Sequence, residues 1–600
     1  MSDNKTKKRN EIDEKFKWNI EKMYPDESKW EKDLDACEKE AAQYIDFGGR
    51  LTESSGTLLE AFKKRDAIWQ DVERVYTYAR MKKDEDNSNS KYQAMADKSQ
   101  TMIAKVSASM SFFTPEFLEA DESLIRSYLK ENDELKQYTH VIEVMLREKD
   151  HVLSKPEENI MAQMSEVTSA TGDIFTMLNN ADIRFGQIKD ENGNLNELTH
   201  GTYIKYMESK DRTVRKDAYE AMYGAYIKQK NTIAMTYSYN TKADVVTSRI
   251  RKYPSALESA LSGDNVPVSV YNNLIDIVND NLPILHRYMD IRKKVLGVDK
   301  PEMYDVYVPI VNIEEKKISF DDGVELMKNG LAPLGKEYTD NAVNGVNNGW
   351  IDIYENEGKT SGAYSFGSYD SMPYILLNYT DKLKDVFTLV HEMGHSMHSF
   401  YTRGNQPFTY GGHSIFTAEV ASTVNESLLI DHLIKNAEDE NELKYLINMH
   451  IEDFRTTLFR QTMFAEFEKL THEAVESGEV LTSEWLSDKY GQLNAKYFGP
   501  QVNTDDNIKM EWARIPHFYR AFYVYKYATG YSAATALSSK ILAEGDKAVD
   551  DYKQFLKSGD SDDPIQLLKI AGVDMSSRRP IENAMKVFES LVERFEELMR

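Results

Sequence analysis

The chain carries His391-Glu392-Met393-Gly394-His395, two histidines four residues apart with a glutamate next to the first. The motif lies in DKLKDVFTLVHEMGHSMHSFYTR, where Leu383, Val386, Phe387 and Val390 make an apolar stripe and no proline intervenes, so the spacing predicts a helix. On a helix His391 and His395 stand one turn apart on one face, where both imidazoles reach a single zinc ion. Glu392 points beside that line, where a carboxylate can take a proton from water held at the metal. With 12 histidines in 600 residues, chance supplies such a motif only about 0.02 times in a chain of this kind. The chemistry these three residues support is metal-assisted hydrolysis.

A tetrahedral site of this type needs one more protein ligand. The local solution places Gly and then His three and six residues after the second histidine, but those positions are His398 and Tyr401. A second helix must therefore contribute, and residues 414–436, SIFTAEVASTVNESLLIDHLIKN, read as one. Ser414 can cap it, and Phe416, Val420, Val424, Leu428 and Ile430 supply apolar faces. Glu419 and Glu426 lie seven apart on one face, and the small residues Gly394, Ala418, Ala421 and Ser422 allow two backbones to approach closely. Glu419 is expected to complete a set of two histidines and one glutamate around one Zn2+ per chain. Glu426 would stand behind it and orient a ligand histidine, although spacing alone also lets Glu426 take the ligand position. His398, one turn past His395, either backs the site or packs beneath the motif helix. His413 follows Gly411 and Gly412 in TYGGHS. That loop is either mobile beside a substrate cleft or a plain lead-in to the helix.

A second constellation is IPHFYRAFYVYKYATGY at 515–531. Hydrolysis of an acyl group needs donors for the developing oxyanion, and tyrosine or histidine can serve. Read as a helix, the stretch puts His517 and Tyr525 near one face with Tyr519 and Tyr523 flanking. A cluster of aromatic rings is also what an ordinary core contains.

The elements that must position these residues are mostly helices. Segments 55–85, 88–112, 205–250, 434–478 and 580–600 carry apolar residues at spacings of three and four, and only 15 prolines interrupt the chain. Strand signals are confined to ADIRFGQIKDENGNLNELTHGTY at 181–203, a hairpin around Asp-Glu-Asn-Gly-Asn, and PYILLNY at 373–379. Boundaries are plausible near 112–122 and near 195–200. The latter divides an N-terminal helical region, 1–195, from a catalytic region, 196–600. A net charge of −25, from 74 basic and 99 acidic residues, speaks against nucleic acid and anionic membrane surfaces as partners. A lone cysteine, Cys37, permits no internal disulfide, and neither a secretory signal nor a long apolar run is evident, so a cytoplasmic enzyme is expected.

These stretches resemble bacterial oligoendopeptidase F, a branch of the thimet oligopeptidase-like zinc peptidases. The matching segments are FKWNIEKMYPDESKWE near the start, LTHGTYIKYMESKDRTVRKDAYEAMY at 198–223, SGAYSFGSYDSMPYILLNY at 361–379, DVFTLVHEMGHSMHS at 385–399, SIFTAEVASTVNE at 414–426 and IPHFYRAFYVYKYATG at 515–530. The resemblance implies a mainly α, two-lobed helical body with a deep substrate channel and a small β-sheet beside the zinc. It implies cleavage of internal bonds in short oligopeptides, with His391, His395 and Glu419 as ligands and Glu392 as general base. The family's substrate-side histidine and tyrosines fall within 517–527. Tyr374, Ile375 and Leu376 would form an edge strand onto which a peptide adds. Two other readings compete. A peptide-binding protein without catalysis is disfavoured by the intact His391, Glu392, His395 and Glu419. A dipeptidyl carboxypeptidase would need a cation for the substrate's C-terminal carboxylate, for which Arg514 and Arg520 are candidates.

Overall fold

The computed structural model describes residues 6–314 and 316–600. Helix accounts for 71% of the chain and strand for 3%, so helices carry the cores and strands act only locally. The chain forms two compact units. One comprises Met1–Asp150, Glu315–His432 and Leu537–Gly572, the other His151–Glu314, Leu433–Ala536 and Val573–Arg600. Each gathers three separate stretches of sequence, so no single cut, at 195 or elsewhere, separates them.

In the first unit the 31-residue helix Ser55–Glu85 starts at Ser54, whose hydroxyl accepts from the Thr57 amide at 3.0 Å. It packs against Glu27–Tyr44 and Ser90–Met110. Five short strands occur among the described residues: β1 (Gln187–Lys189), β2 (Leu195–Glu197), β3 (Ile351–Asp352), β4 (Tyr364–Phe366) and β5 (Tyr374–Leu376). The last three form one sheet in the order β3-β5-β4, with β5 parallel to β3 and antiparallel to β4. This corrects the edge-strand expectation for Tyr374, Ile375 and Leu376. The Ile375 amide bonds Trp350 and the Leu377 amide bonds Asp352, both at 2.8 Å, while β4 occupies the other side. All three side chains are buried, so β5 has no free edge to offer a peptide. The strand at the edge beside the motif helix is β4, where the Ser365 and Ser396 hydroxyls stand 2.8 Å apart.

The N-terminal segment is tied to this sheet. Asp352 is buried between Arg9 and Lys359, the latter at 2.7 Å, and these cations hold its carboxyl below the usual range despite burial. The Tyr374 hydroxyl donates to the Asn19 carbonyl at 2.8 Å, and the Trp18 indole donates to Glu85 at 2.8 Å.

The second unit holds the expected hairpin, β1 paired antiparallel with β2. The run 205–250 is not one helix. It divides into His200–Met207, Arg212–Lys228 and Lys230–Ile250, the second opened by Asp211, which accepts from the Thr213 amide at 2.8 Å. The run 434–478 contains Glu440–Asp453 and Arg460–Glu476, joined by a π-turn at Phe454–Phe459. The stretch 515–531 is not a helix from its start. It comprises a short 3-10 turn, Pro516–Tyr519, then a bend with Phe522 at φ 55°, and only Tyr525 begins a helix. Proline cannot continue a helix from before it, and a left-handed Phe522 breaks the next turn. The Phe522 amide donates to Glu468 at 3.0 Å inside the unit's core, where burial pushes the Glu468 carboxyl well up.

Candidate metal centre

The motif helix spans Leu383–Arg403. Its start is held by Asp385, which accepts from the Thr380 amide at 2.7 Å and the Lys382 amide at 3.1 Å. Val386, Leu389, Val390, Met393 and Met397 bury one face. The helix that crosses it spans Ile415–Lys435. The crossing is tight because Gly394 faces Ser422: a Cβ at Gly394 would stand 2.5 Å from the Ser422 Cα and 2.8 Å from the Ala421 carbonyl oxygen. Asn425 ties the pair together, donating to the Val390 carbonyl at 3.3 Å and accepting from Tyr338 at 3.1 Å. Its amide was not singled out in the sequence, because nothing local marks which polar residue on a helix will reach a neighbour.

The crossing brings His391, His395 and Glu419 into one group whose ligand atoms lie within 4.8 Å of one another. The His391 and His395 Nε2 atoms are 3.2 Å apart, and Glu419 Oε2 lies 3.6 Å from the first and 3.9 Å from the second. Donors bound at about 2.0–2.1 Å around a tetrahedral zinc stand about 3.3–3.4 Å apart. The triangle therefore fits such an ion with small adjustment, and its chemistry, two imidazoles and a carboxylate, suits zinc. Glu426 hydrogen-bonds Nδ1 of His391, which holds the proton there and leaves Nε2 facing the other two ligands.

The electrostatics follow from enclosure among carboxylates. Burial pulls the His391 pKa down, but the hydrogen bond and charge of Glu426 outweigh it and raise the value to about 9. Burial lowers His395 to about 3. Glu392 is 7% exposed, and burial first, then the Glu419 charge, raise its carboxyl to about 7, with His391 opposing.

His398 is 1% exposed; its ring stacks on His413 at 4.2 Å and lies 5.3 Å from Phe555. Of the two readings of the loop at 411–413, mobile or a plain lead-in to the helix, the packing favours the lead-in. A Cβ on Gly411 would meet the Tyr369 ring at 2.5 Å, and the Ser414 amide donates to Asp560 at 2.9 Å. Gly411 is thus small to admit an aromatic ring, and Gly412 alone of the pair is exposed.

Comparison with known proteins gives the family. Residues 205–587 match the model of peptidase family M3, and residues 116–185 match that of oligopeptidase F. The chain belongs to peptidase family M3. The two matches leave 186–204 between them. Oligopeptidase PepF of Bacillus subtilis is 46% identical over 98% of this chain and 88% of its own length. An oligoendopeptidase F homolog of Lactococcus lactis is 42% identical over 99% of both. The crystal structure of oligoendopeptidase-F from Enterococcus faecium superposes with a TM-score of 0.75 at 38% identity, covering 95% of this chain and 99% of that one. This M3 chain is accordingly an oligopeptide-cleaving metallopeptidase.

The histidine and tyrosine candidates within 517–527 of this M3 chain all lie in the second unit, and they separate into three groups. His517 and Tyr523 are half-buried with parallel rings 6.1 Å apart, and Tyr527 sets its ring edge-on to His517 at 5.9 Å and to Tyr523 at 5.5 Å. Tyr519 turns the other way and stacks on Phe175 at 4.4 Å. Tyr525 is 0% exposed, packed 5.2 Å from Tyr271. Enclosure in the core removes Tyr525 from reach of a substrate. Tyr527 takes its place beside His517, a pairing hidden from helical spacing because the chain bends at Phe522.

Proposed function

We propose that this M3 peptidase is a zinc-dependent endopeptidase that hydrolyses internal bonds of short oligopeptides, with Glu392 as general base. The triangle formed by His391, His395 and Glu419, with the buried Glu392 carboxyl next to it in sequence, is the observation that carries this reading. When bound, zinc supplies Lewis acidity toward both water and the scissile carbonyl. Glu426 orients His391 through Nδ1. The Glu392 carboxylate accepts the proton of the attacking water and returns it to the leaving amine. A pKa of about 7, which a nearby dication lowers, suits a group that must do both near neutrality. His517, Tyr523 and Tyr527 are assigned as hydrogen-bond donors to the peptide substrate, and β4 is the strand assigned to pair with an extended peptide.

The decisive experiment replaces Glu392 by Gln. The variant should keep one zinc per chain by metal analysis and lose about 10²–10⁴ in turnover; substantial remaining activity would remove Glu392 from its role. The size limit is tested with a ladder of peptides sharing one cleavable core, run beside reduced casein. Cleavage should fall as the peptides lengthen, and casein cut as fast as the core peptide would contradict a short-peptide enzyme.

A further inference from the structure

The second unit contains an excess of positive charge that the reaction above does not use. Glu452 accepts from Arg455 Nε at 2.8 Å and from Arg292 Nη1 at 3.1 Å. Glu511 accepts from Arg460 Nη2 at 2.5 Å and pairs with Arg514 Nη1 at 3.5 Å. Four guanidinium groups thus share two carboxylates, and no third carboxylate forms an ion pair with any of them among the described residues. In a chain of net charge −25 such a local surplus is conspicuous, because buried charges are normally balanced.

Tyr307 stands among the four. Arg455 lies over its ring at 5.2 Å, and its hydroxyl is near enough to act electrostatically on Arg460 and Arg514. Arg292 donates to the Asp305 and Val308 carbonyls on either side of Tyr307, at 3.1 and 2.6 Å. The π-turn completes the arrangement. Its closing bond runs from the Arg460 amide to the Arg455 carbonyl, so the two positions lie nearer one face of the helix than an ordinary α-turn would place them. Arg455 is 2% exposed, and its Nη1 has no hydrogen-bond partner. Arg460 and Arg514, by contrast, are 18% and 21% exposed. They are also pre-set for binding, since Arg460 stacks over Phe464 at 4.3 Å and Arg514 over Tyr203 at 5.2 Å. Arg514 is three residues from His517, whose ring feels the Arg460 charge after burial and Arg520.

We propose that Arg460 and Arg514, backed by Arg455 and Tyr307, form a carboxylate-binding subsite that takes either the C-terminal carboxylate of the peptide or an acidic side chain within it. Two guanidinium forks already committed to one carboxylate retain donors and charge for a second. The inference rests on the peptidase reading only in taking the ligand to be a peptide.

The test uses the full-length, zinc-loaded Glu392→Gln enzyme, which binds peptides without cutting them, and reads affinity by calorimetric titration. The probes are a peptide without acidic residues, the same peptide amidated, and amidated versions with Glu or Gln scanned along the sequence. Either the free acid should bind about tenfold to a hundredfold more tightly than its amide, or one Glu peptide should exceed its Gln counterpart by that factor. The first result identifies the C-terminus as the ligand, the second a side chain. Adding Arg514→Gln should abolish the advantage and Arg514→Lys should restore part of it. Arg460–Glu511 remains a balanced pair in both, so their melting temperatures should stay close to the parent's, and Arg514→Lys decides the matter if the Gln variant unfolds. Equal affinity for all charged and neutral probes, or an advantage that survives Arg514→Gln, overturns the subsite. Turnover of these peptides by the Glu392 enzyme separately tests the peptidase reading, so the two can fail independently.

Discussion

At the scale of single residues, Glu419 and Glu426 show how one helix face divides two jobs. Both are carboxylates seven residues apart, yet Glu419 meets the two Nε2 atoms and Glu426 meets Nδ1 of His391. Replacing Glu419 by Ala should therefore strip zinc far more completely than Glu426→Ala, for which a loss of about 10–100-fold in affinity is expected. Equal losses in a competition assay with a chelator would reverse the assignment. The same contact predicts a proton count. With a pKa of about 9, His391 is mostly protonated at pH 8, and a metal must displace that proton. Zinc titrated into the metal-free enzyme at pH 8 should release about one proton, and apparent affinity should fall as pH drops below about 9 and level off above it. Calorimetry in buffers of different ionisation enthalpy counts the proton. Glu426→Gln, which removes the charge that raises His391, should reduce the count, and no release from the parent enzyme at pH 8 would refute the account.

At the scale of elements, two features do most of the positioning. The first is the helix crossing at Gly394. Adding a methyl there places it 2.5 Å from backbone that cannot swing away, so Gly394→Ala should separate the helices. Overpacking of this kind costs about 1–3 kcal/mol, and it moves Glu419 away from both histidines. Zinc loss together with a lowered melting temperature is expected; a variant that keeps full zinc would show the crossing to be more compliant than the geometry allows. The second is the bend at Phe522, which turns Tyr527 toward His517 and sends Tyr525 into the core. Tyr527→Phe should lower turnover by about 10²–10³ at unchanged zinc content, the typical cost of losing one hydrogen-bond donor to the substrate. Tyr525→Phe should show its effect, if any, on stability. A silent Tyr527→Phe beside a catalytically impaired Tyr525→Phe would invert this assignment.

At the scale of the whole molecule, the unit that holds the metal centre draws on 1–150, 315–432 and 537–572. Its sheet depends on the first of these. Arg9 compensates buried Asp352, Asn19 accepts from Tyr374, and Asp84 accepts from the Tyr364 hydroxyl at 2.7 Å. A fragment of residues 196–600 would contain every proposed ligand and the general base yet leave Asp352 without Arg9 and the sheet without its cover. Losing one partner of a buried ion pair costs about 3–5 kcal/mol. The fragment is expected to be poorly soluble and to retain no zinc. A soluble fragment with full zinc would show that the first 195 residues are dispensable to the site.

Sequence alone was sufficient for the helical character, the hairpin at 187–197 and a short set of candidate ligands, His391, His395 and either Glu419 or Glu426. Helical periodicity is local, and a ligand set confined to two helices is largely encoded by spacing on each, with Gly394 and the small residues near Ser422 announcing the close approach. Tertiary structure alone decided the rest. Whether PYILLNY lies at the centre or the edge of its sheet depends on which strands come to either side of it, and β3 and β4 are too short to announce themselves. The orientation of Tyr519, Tyr525 and Tyr527 depends on a left-handed residue held by a buried glutamate 54 positions earlier, and no periodicity survives such a break. The pairing of four arginines with two carboxylates joins residues up to 160 positions apart. Long-range pairing of this kind is set by how helices pack, which a reading of local spacing does not contain.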